Sequence, residues 1–166
     1  MKLAKSLDRL GTESAFSVLA EAKKLEATGK PMIHLGLGQP DFKTPQHIVD
    51  AAKKALDDGH HGYVLSNGIL ECRQAVTRKI KKLYNQDIDP ERIIIMPGGK
   101  PTMSYAIQCF GEPGVEIIHP TPAFPIYESM INFTGAKPVP YDLTEDKDLK
   151  FNPEKILSLI TCLLYT

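Results

Sequence analysis

Apolar and polar positions follow two different periods along this chain. From Ala15 to Leu25, Phe16, Val18, Leu19, Ala22 and Leu25 recur at helical spacing, and Gly29 closes the run. MIHLGLG (Met32 to Gly38) reads as a short strand running into a glycine-rich loop. Thr44 and Pro45 then open a helix, Thr44 as its cap and Pro45 at its first position. Ile48, Ala51, Ala52 and Leu56 form the buried stripe of that helix, and Gly59 ends it. Gly68 to Tyr84 is a further helix, with Ile69, Leu70, Val76, Ile80 and Leu83 apolar. Ile93 to Ile95, all β-branched, read as a buried strand, after which Met103, Ala106 and Ile107 return to helical spacing. The turn EPG leads into a strand at Val115 to His119, a helix follows from about Pro125 to Phe133, and KPVPY is another strand. Phe151 to Ile160 reads as helical.

Helices alternating with short apolar strands predict an α/β architecture with a largely parallel sheet. Ligands of such sheets bind beyond the carboxyl ends of the strands. Three loops rich in Gly and Pro fall between elements: LGLGQPDF, MPGGKPT and HPTPAFPIY. In the second, Gly98 and Gly99 let backbone amides approach a ligand with no Cβ in the way. Pro101 suits a first helical turn, where no amide hydrogen is required. A helix start leaves N–H groups without intrahelical partners and carries partial positive charge, so this turn can receive a phosphate. An ordinary tight connection between strand and helix accounts for the same residues. Neither a Walker pattern nor GxGxxG is present.

Composition narrows the classes. The chain has 166 residues, 42% of them hydrophobic, which suits one domain with a sizeable core. Twenty basic and twenty acidic side chains leave no net charge, which gives no reason to expect nucleic acid or an anionic membrane surface as partner. Lys53 and Lys54, and Lys79, Lys81 and Lys82, read as solvated helix faces. Cys72, Cys109 and Cys162 are widely spaced and form no CxxC, so reduced thiols in a cytoplasmic protein are the simplest account. No apolar run is long enough to span a membrane, and the charged amino terminus has no signal-peptide core. His34, His47, His60, His61 and His119 show no ligand spacing, and Asp41 and Glu128 form no evident acid–base pair. No metal is expected. Asp41 reads as organising the turn after Pro40.

Five fragments in order carry a resemblance: GLGQPDFKTP (Gly36 to Pro45), GYVLSNGILECRQAV (Gly62 to Val76), PGGKPT (Pro97 to Thr102), EPGVEIIHPTPAFPIY (Glu112 to Tyr127) and the GAKPV that follows. Together they resemble the class I/II aminotransferases of fold-type I, which use pyridoxal 5'-phosphate, in register from the first helix to about Thr161. The resemblance implies an α/β/α sandwich around a mostly parallel sheet. It implies transfer of an amino group between an amino acid and a 2-oxo acid in a homodimer. A β-eliminating lyase on the same scaffold, or a non-catalytic sensing domain, are the alternatives it allows. By the same resemblance Gly99 and Lys100 match the cup for the cofactor phosphate, with the ammonium of Lys100 either touching it or solvated. Phe124 matches the aromatic that stacks on the pyridine ring. Gly38 matches the loop glycine lying against the substrate carboxylate. Tyr63 matches the tyrosine that reaches the phosphate of the neighbouring subunit.

The family's chemistry also needs a lysine that holds the cofactor covalently, an aspartate on the pyridine nitrogen and an arginine for the substrate carboxylate. The resemblance places all three beyond residue 166, so no catalytic residue is expected in this stretch. The closing CLLYT is what the transposase adapter CTGTCTCTTATACACATCT encodes from its second base. The chain is therefore expected to be an amino-terminal fragment. Residues 1–30 would be an arm and helix of the small domain, 31–161 the start of the large cofactor-binding domain, and 162–166 an adapter-derived tail.

Overall fold

A computed structural model describes residues 2–11, 14–143 and 149–164 of the chain. They fall into two compact units, one of residues 1–37 with 98–166 and one of residues 38–97. Tyr165 and Thr166, the end of the expected tail, lie outside the described residues.

The first unit is built on a parallel strand pair. Strand β1 (Glu116–Thr121) and strand β2 (Lys137–Asp142) pair from Glu116 with Lys137 through to Thr121 with Asp142. The helix between them (Ile126–Thr134, α5 in chain order) makes the crossover that a parallel pair requires. Ile131 on that helix is fully buried, with Ala136 and Tyr141 beside it, and these form the core of the unit. Helix α1 (Ser14–Ala27) and helix α4 (Gly99–Phe110) belong here too, and α4 packs on α5. Arg9, in a 3-10 turn at Lys5–Arg9, donates from Nε and Nη2 to the carbonyls of Asn132 and Phe133, each at 2.9 Å. A cation there meets the unsatisfied carbonyls and negative dipole end of α5. The last helix, α6 (Pro153–Ser158), is capped by Asn152, whose Oδ1 accepts from the amides of Glu154 and Lys155. The Asn152 amide in turn donates to the Tyr141 hydroxyl at 2.7 Å, which ties α6 to β2.

The second unit holds helix α2 (Gln46–Asp57), helix α3 (Leu70–Tyr84) and a 3-10 turn at Pro90–Arg92. Its one buried residue among those described is charged: Arg73, 2% exposed.

The helices α1, α4 and α5 and both strands of the pair follow the sequence pattern; four expectations need correction. Met32 to Gly38 is not a strand, and Ile33 and Leu35 are 87% and 90% exposed. Ile93 to Ile95 is not a strand either. The Ile93 amide bonds the Pro90 carbonyl and the Ile95 amide bonds the Asn67 carbonyl, so a 3-10 turn and the loop before α3 take the groups a ladder would use. The stripe of α2 is amphipathic but not buried, with Ile48 and Leu56 both exposed, because no element of its unit covers it among the described residues. Helix boundaries also move. Pro45 rather than Thr44 takes the cap position of α2, α3 begins at Leu70 after a glycine turn, and α6 is shorter than Phe151 to Ile160.

Candidate functional site

The turn that opens α4 is set by Gly98. Its φ of 105° and ψ of 167° lie in a region that side-chain-bearing residues rarely occupy, which is why glycine stands there. The Thr102 hydroxyl donates to the Gly98 carbonyl at 3.1 Å and steadies the turn from within the helix. A Cβ built on Gly98 would meet nothing within 4 Å, and one on Gly99 would meet only Met103 Cε at 4.0 Å. Backbone at Gly98 and Gly99 is therefore open to approach on the side where a side chain would stand, and the amides of the first turn have no intrahelical acceptor. Pro101 adds no amide to satisfy.

Phe124 stands beyond the carboxyl end of β1, the side on which parallel sheets bind ligands. Its carbonyl accepts from the Tyr127 amide at 3.2 Å, so the residue belongs to the turn that starts α5. The residue is 37% exposed. Lys100 joins the two features: its Nζ lies 5.4 Å from the centroid of Phe124 and 5.2 Å from that of Phe16 on α1. Both distances are within cation–π range. A cationic, amide-rich turn beside an aromatic face is chemically suited to a planar ring bearing an anionic phosphate.

The first unit thus brings Gly99, Lys100 and Phe124 into one place, while Gly38 and Tyr63 belong to the second. Gly38 has open space where a side chain would stand, and Tyr63 is fully exposed in the loop between α2 and α3. Among the described residues no group of three His, Cys, Asp or Glu is placed to hold a metal ion. His34 Nε2 lies 2.7 Å from Glu26 Oε1, and His119 Nδ1 lies 3.1 Å from the Pro120 carbonyl. Cys72, Cys109 and Cys162 are free thiols. No described helix is long and apolar enough to cross a membrane.

Two charged groups matter more than their spacing suggests. Glu116, 5% exposed at the head of β1, accepts from Lys137 Nζ at 2.7 Å and from the Thr161 hydroxyl at 2.5 Å. The bond from Lys137 and then that from Thr161 hold its carboxyl below the usual range, against the opposing effect of burial. Its amide donates to Leu163 O, and a parallel bridge joins Glu116 to Leu164. Arg73 has a signal in the sequence: Ile69, Arg73, Val76, Ile80 and Leu83 share one helical stripe, and arginine is out of place among them. Glu116 has none, because its partners lie 21 and 45 residues away.

Comparison with known proteins places the chain in a family. The family model for aminotransferase class I and II matches residues 30–163. Aspartate aminotransferase of Bacillus subtilis is 36% identical over 161 residues, which are 97% of this chain and 41% of that protein. The (5-formylfuran-3-yl)methyl phosphate transaminase of Methanocaldococcus jannaschii is 40% identical over 142 residues, 86% of this chain and 38% of that one. Among solved structures, the aspartate aminotransferase of Thermus thermophilus with maleate superposes with a TM-score of 0.90 at 29% identity. That match covers 99% of this chain and 43% of the other. The chain spans 41% of the length of the Bacillus subtilis relative.

Proposed function

Because the chain belongs to the class I and II aminotransferases, we propose that the whole protein exchanges an amino group between an amino acid and a 2-oxo acid, using pyridoxal 5'-phosphate in a homodimer. The observation that carries this reading is the α4 turn set beside Phe124, bridged by Lys100.

The residues present fit the cofactor. Gly98 and Gly99 leave room for a phosphate at the amides of the first turn of α4. Lys100 places an ammonium over the aromatic face and close to that turn. Phe124 offers a flat apolar surface that fixes the orientation of a stacked ring and keeps water from one side of it. Gly38 would let backbone lie against a substrate carboxylate, and Tyr63 would reach the phosphate held by the partner subunit. When bound, the cofactor supplies the electron sink; the chain's residues bind and orient it. The relatives' names point to unlike substrates, an amino acid in one and an aldehyde in the other, so they single out no donor for this chain.

The test uses the full-length protein. Purified with pyridoxal 5'-phosphate, it should convert amino acids only when a 2-oxo acid acceptor is supplied. Ammonia and 2-oxo acid released without an acceptor would identify a lyase instead. No turnover with any donor–acceptor pair, in protein that holds the cofactor, would favour a sensing domain.

A further inference from the structure

The buried arginine of the second unit serves no step described above. Arg73 donates from Nε to the Gly68 carbonyl at 3.2 Å, and from Nη1 to the Pro90 carbonyl at 3.0 Å and to Glu91 Oε1 at 2.8 Å. Its guanidinium reaches three acceptors on two segments that are far apart in sequence. A planar fork of fixed donors can do this; an ammonium on a flexible stem cannot hold the same divergent set.

One of those segments is the loop that carries Tyr63. Its start is tied to α2, with the His60 amide on the Ala55 carbonyl at 2.9 Å. Its end is held by three contacts. The Gly68 amide bonds Leu65 O at 2.9 Å, the Ile95 amide bonds Asn67 O at 3.1 Å, and Arg73 takes Gly68 O. Gly68, at a φ of 93°, lies so close to Ile95 that an added Cβ would stand 2.8 Å from its Cγ1. The loop end is therefore closely fitted, and Arg73 is the only side chain that bonds both this loop end and the 3-10 turn at Pro90–Arg92 among the bonds described.

We infer that Arg73 is a positioning residue: by clamping the Gly68 carbonyl to the Pro90–Glu91 turn it holds the Tyr63 loop in the conformation that delivers the phenol to a cofactor phosphate. This deepens the proposed function and rests on the reading of Tyr63 given there. A merely structural arginine would lower the melting temperature and leave the energetics of Tyr63 untouched.

The experiment takes the full-length protein as parent, Tyr63→Phe, Arg73→Lys and the double variant. It measures pyridoxal 5'-phosphate affinity and hydrogen exchange of residues 60–68 in each. Arg73→Lys keeps the charge, which limits the risk of unfolding, and its circular dichroism is recorded beside the parent's. Expected are faster exchange in the loop and a roughly tenfold loss of affinity, the scale of one charge-assisted hydrogen bond. The double variant should bind no more weakly than Tyr63→Phe alone, because both changes remove the same contact. Unchanged loop exchange or unchanged affinity in Arg73→Lys, or losses that add in the double variant, would overturn the inference. If Tyr63→Phe alone leaves affinity intact, the reading of Tyr63 fails first and this inference fails with it.

Discussion

Phe124 and Gly98 show how single residues define the site. Gly98 supplies the backbone angle of the turn that opens α4, and Phe124 supplies an aromatic ring near it, with Lys100 over that ring. Stacking of an aromatic ring contributes about 0.5–1.5 kcal/mol beyond simple burial. Phe124→Ala in the full-length protein should therefore lose pyridoxal 5'-phosphate about 2- to 12-fold more readily. Dialysis followed by the cofactor's visible absorbance measures it. Equal retention by variant and parent would remove Phe124 from the site. The turn at Gly98 was legible from its own glycines and proline, whereas the role of Phe124 comes only from the family resemblance. The resemblance put Lys100 at the phosphate cup and left its ammonium either touching the phosphate or solvated. Its place over the rings of Phe16 and Phe124 joins residues 84 and 24 positions away, and no local pattern predicts it.

At the scale of elements, β1 is held on both sides. β2 pairs with it along six residues, and the segment Thr161–Leu164 meets it at Glu116. The Glu116 carboxylate binds Lys137 on one side and Thr161 on the other, and its pKa is lowered as a result. A lowered folded-state pKa means that this contribution is fully present above the pKa of the unfolded chain. It is lost as pH falls through the folded-state value, which lies below that of the unfolded chain. Acidification should release the 161–164 segment before β1 and β2 separate, seen as faster amide exchange at Leu163. Glu116→Gln should flatten that pH dependence, because the side chain no longer titrates. An unchanged acid profile in the variant would assign the transition to another group. Elements that lack partners behave in the opposite way. Ile93 to Ile95 and Met32 to Gly38 have strand-like composition, yet their backbone groups find no ladder, and composition alone does not make a strand.

For the whole molecule, the decisive quantity is how little apolar surface the chain buries. Among the described residues only Ile131, Ala136 and Tyr141 are buried and apolar, in a chain that is 42% hydrophobic. Ile48, Leu56, Val64, Leu65, Ile69 and Leu70 of the second unit are all exposed. Exposed apolar surface on that scale calls for a covering partner or leads to association. We predict that the 166-residue polypeptide, expressed by itself, is poorly soluble or binds a hydrophobic dye as a loosely packed state does. We also predict no transaminase turnover, because the resemblance places the lysine for covalent attachment beyond residue 166. Borohydride treatment after addition of pyridoxal 5'-phosphate tests the second point. A stoichiometric, specific adduct together with turnover of an amino acid would contradict it.

The sequence by itself determined the α/β class, the helices that carry strong 3.6-residue periodicity, the parallel pair flanking α5, and the loops that hold Gly99, Lys100 and Phe124. These are local signals: periodicity, turn residues and the order of five fragments survive in one dimension. Tertiary structure decided which apolar stripes are covered, which β-branched runs become strands, and which charges are buried. Those outcomes depend on partners far along the chain. Arg73 reaches Pro90 and Glu91, Arg9 reaches Asn132, and Glu116 reaches Thr161, because hydrogen bonds and burial are settled by distance in space.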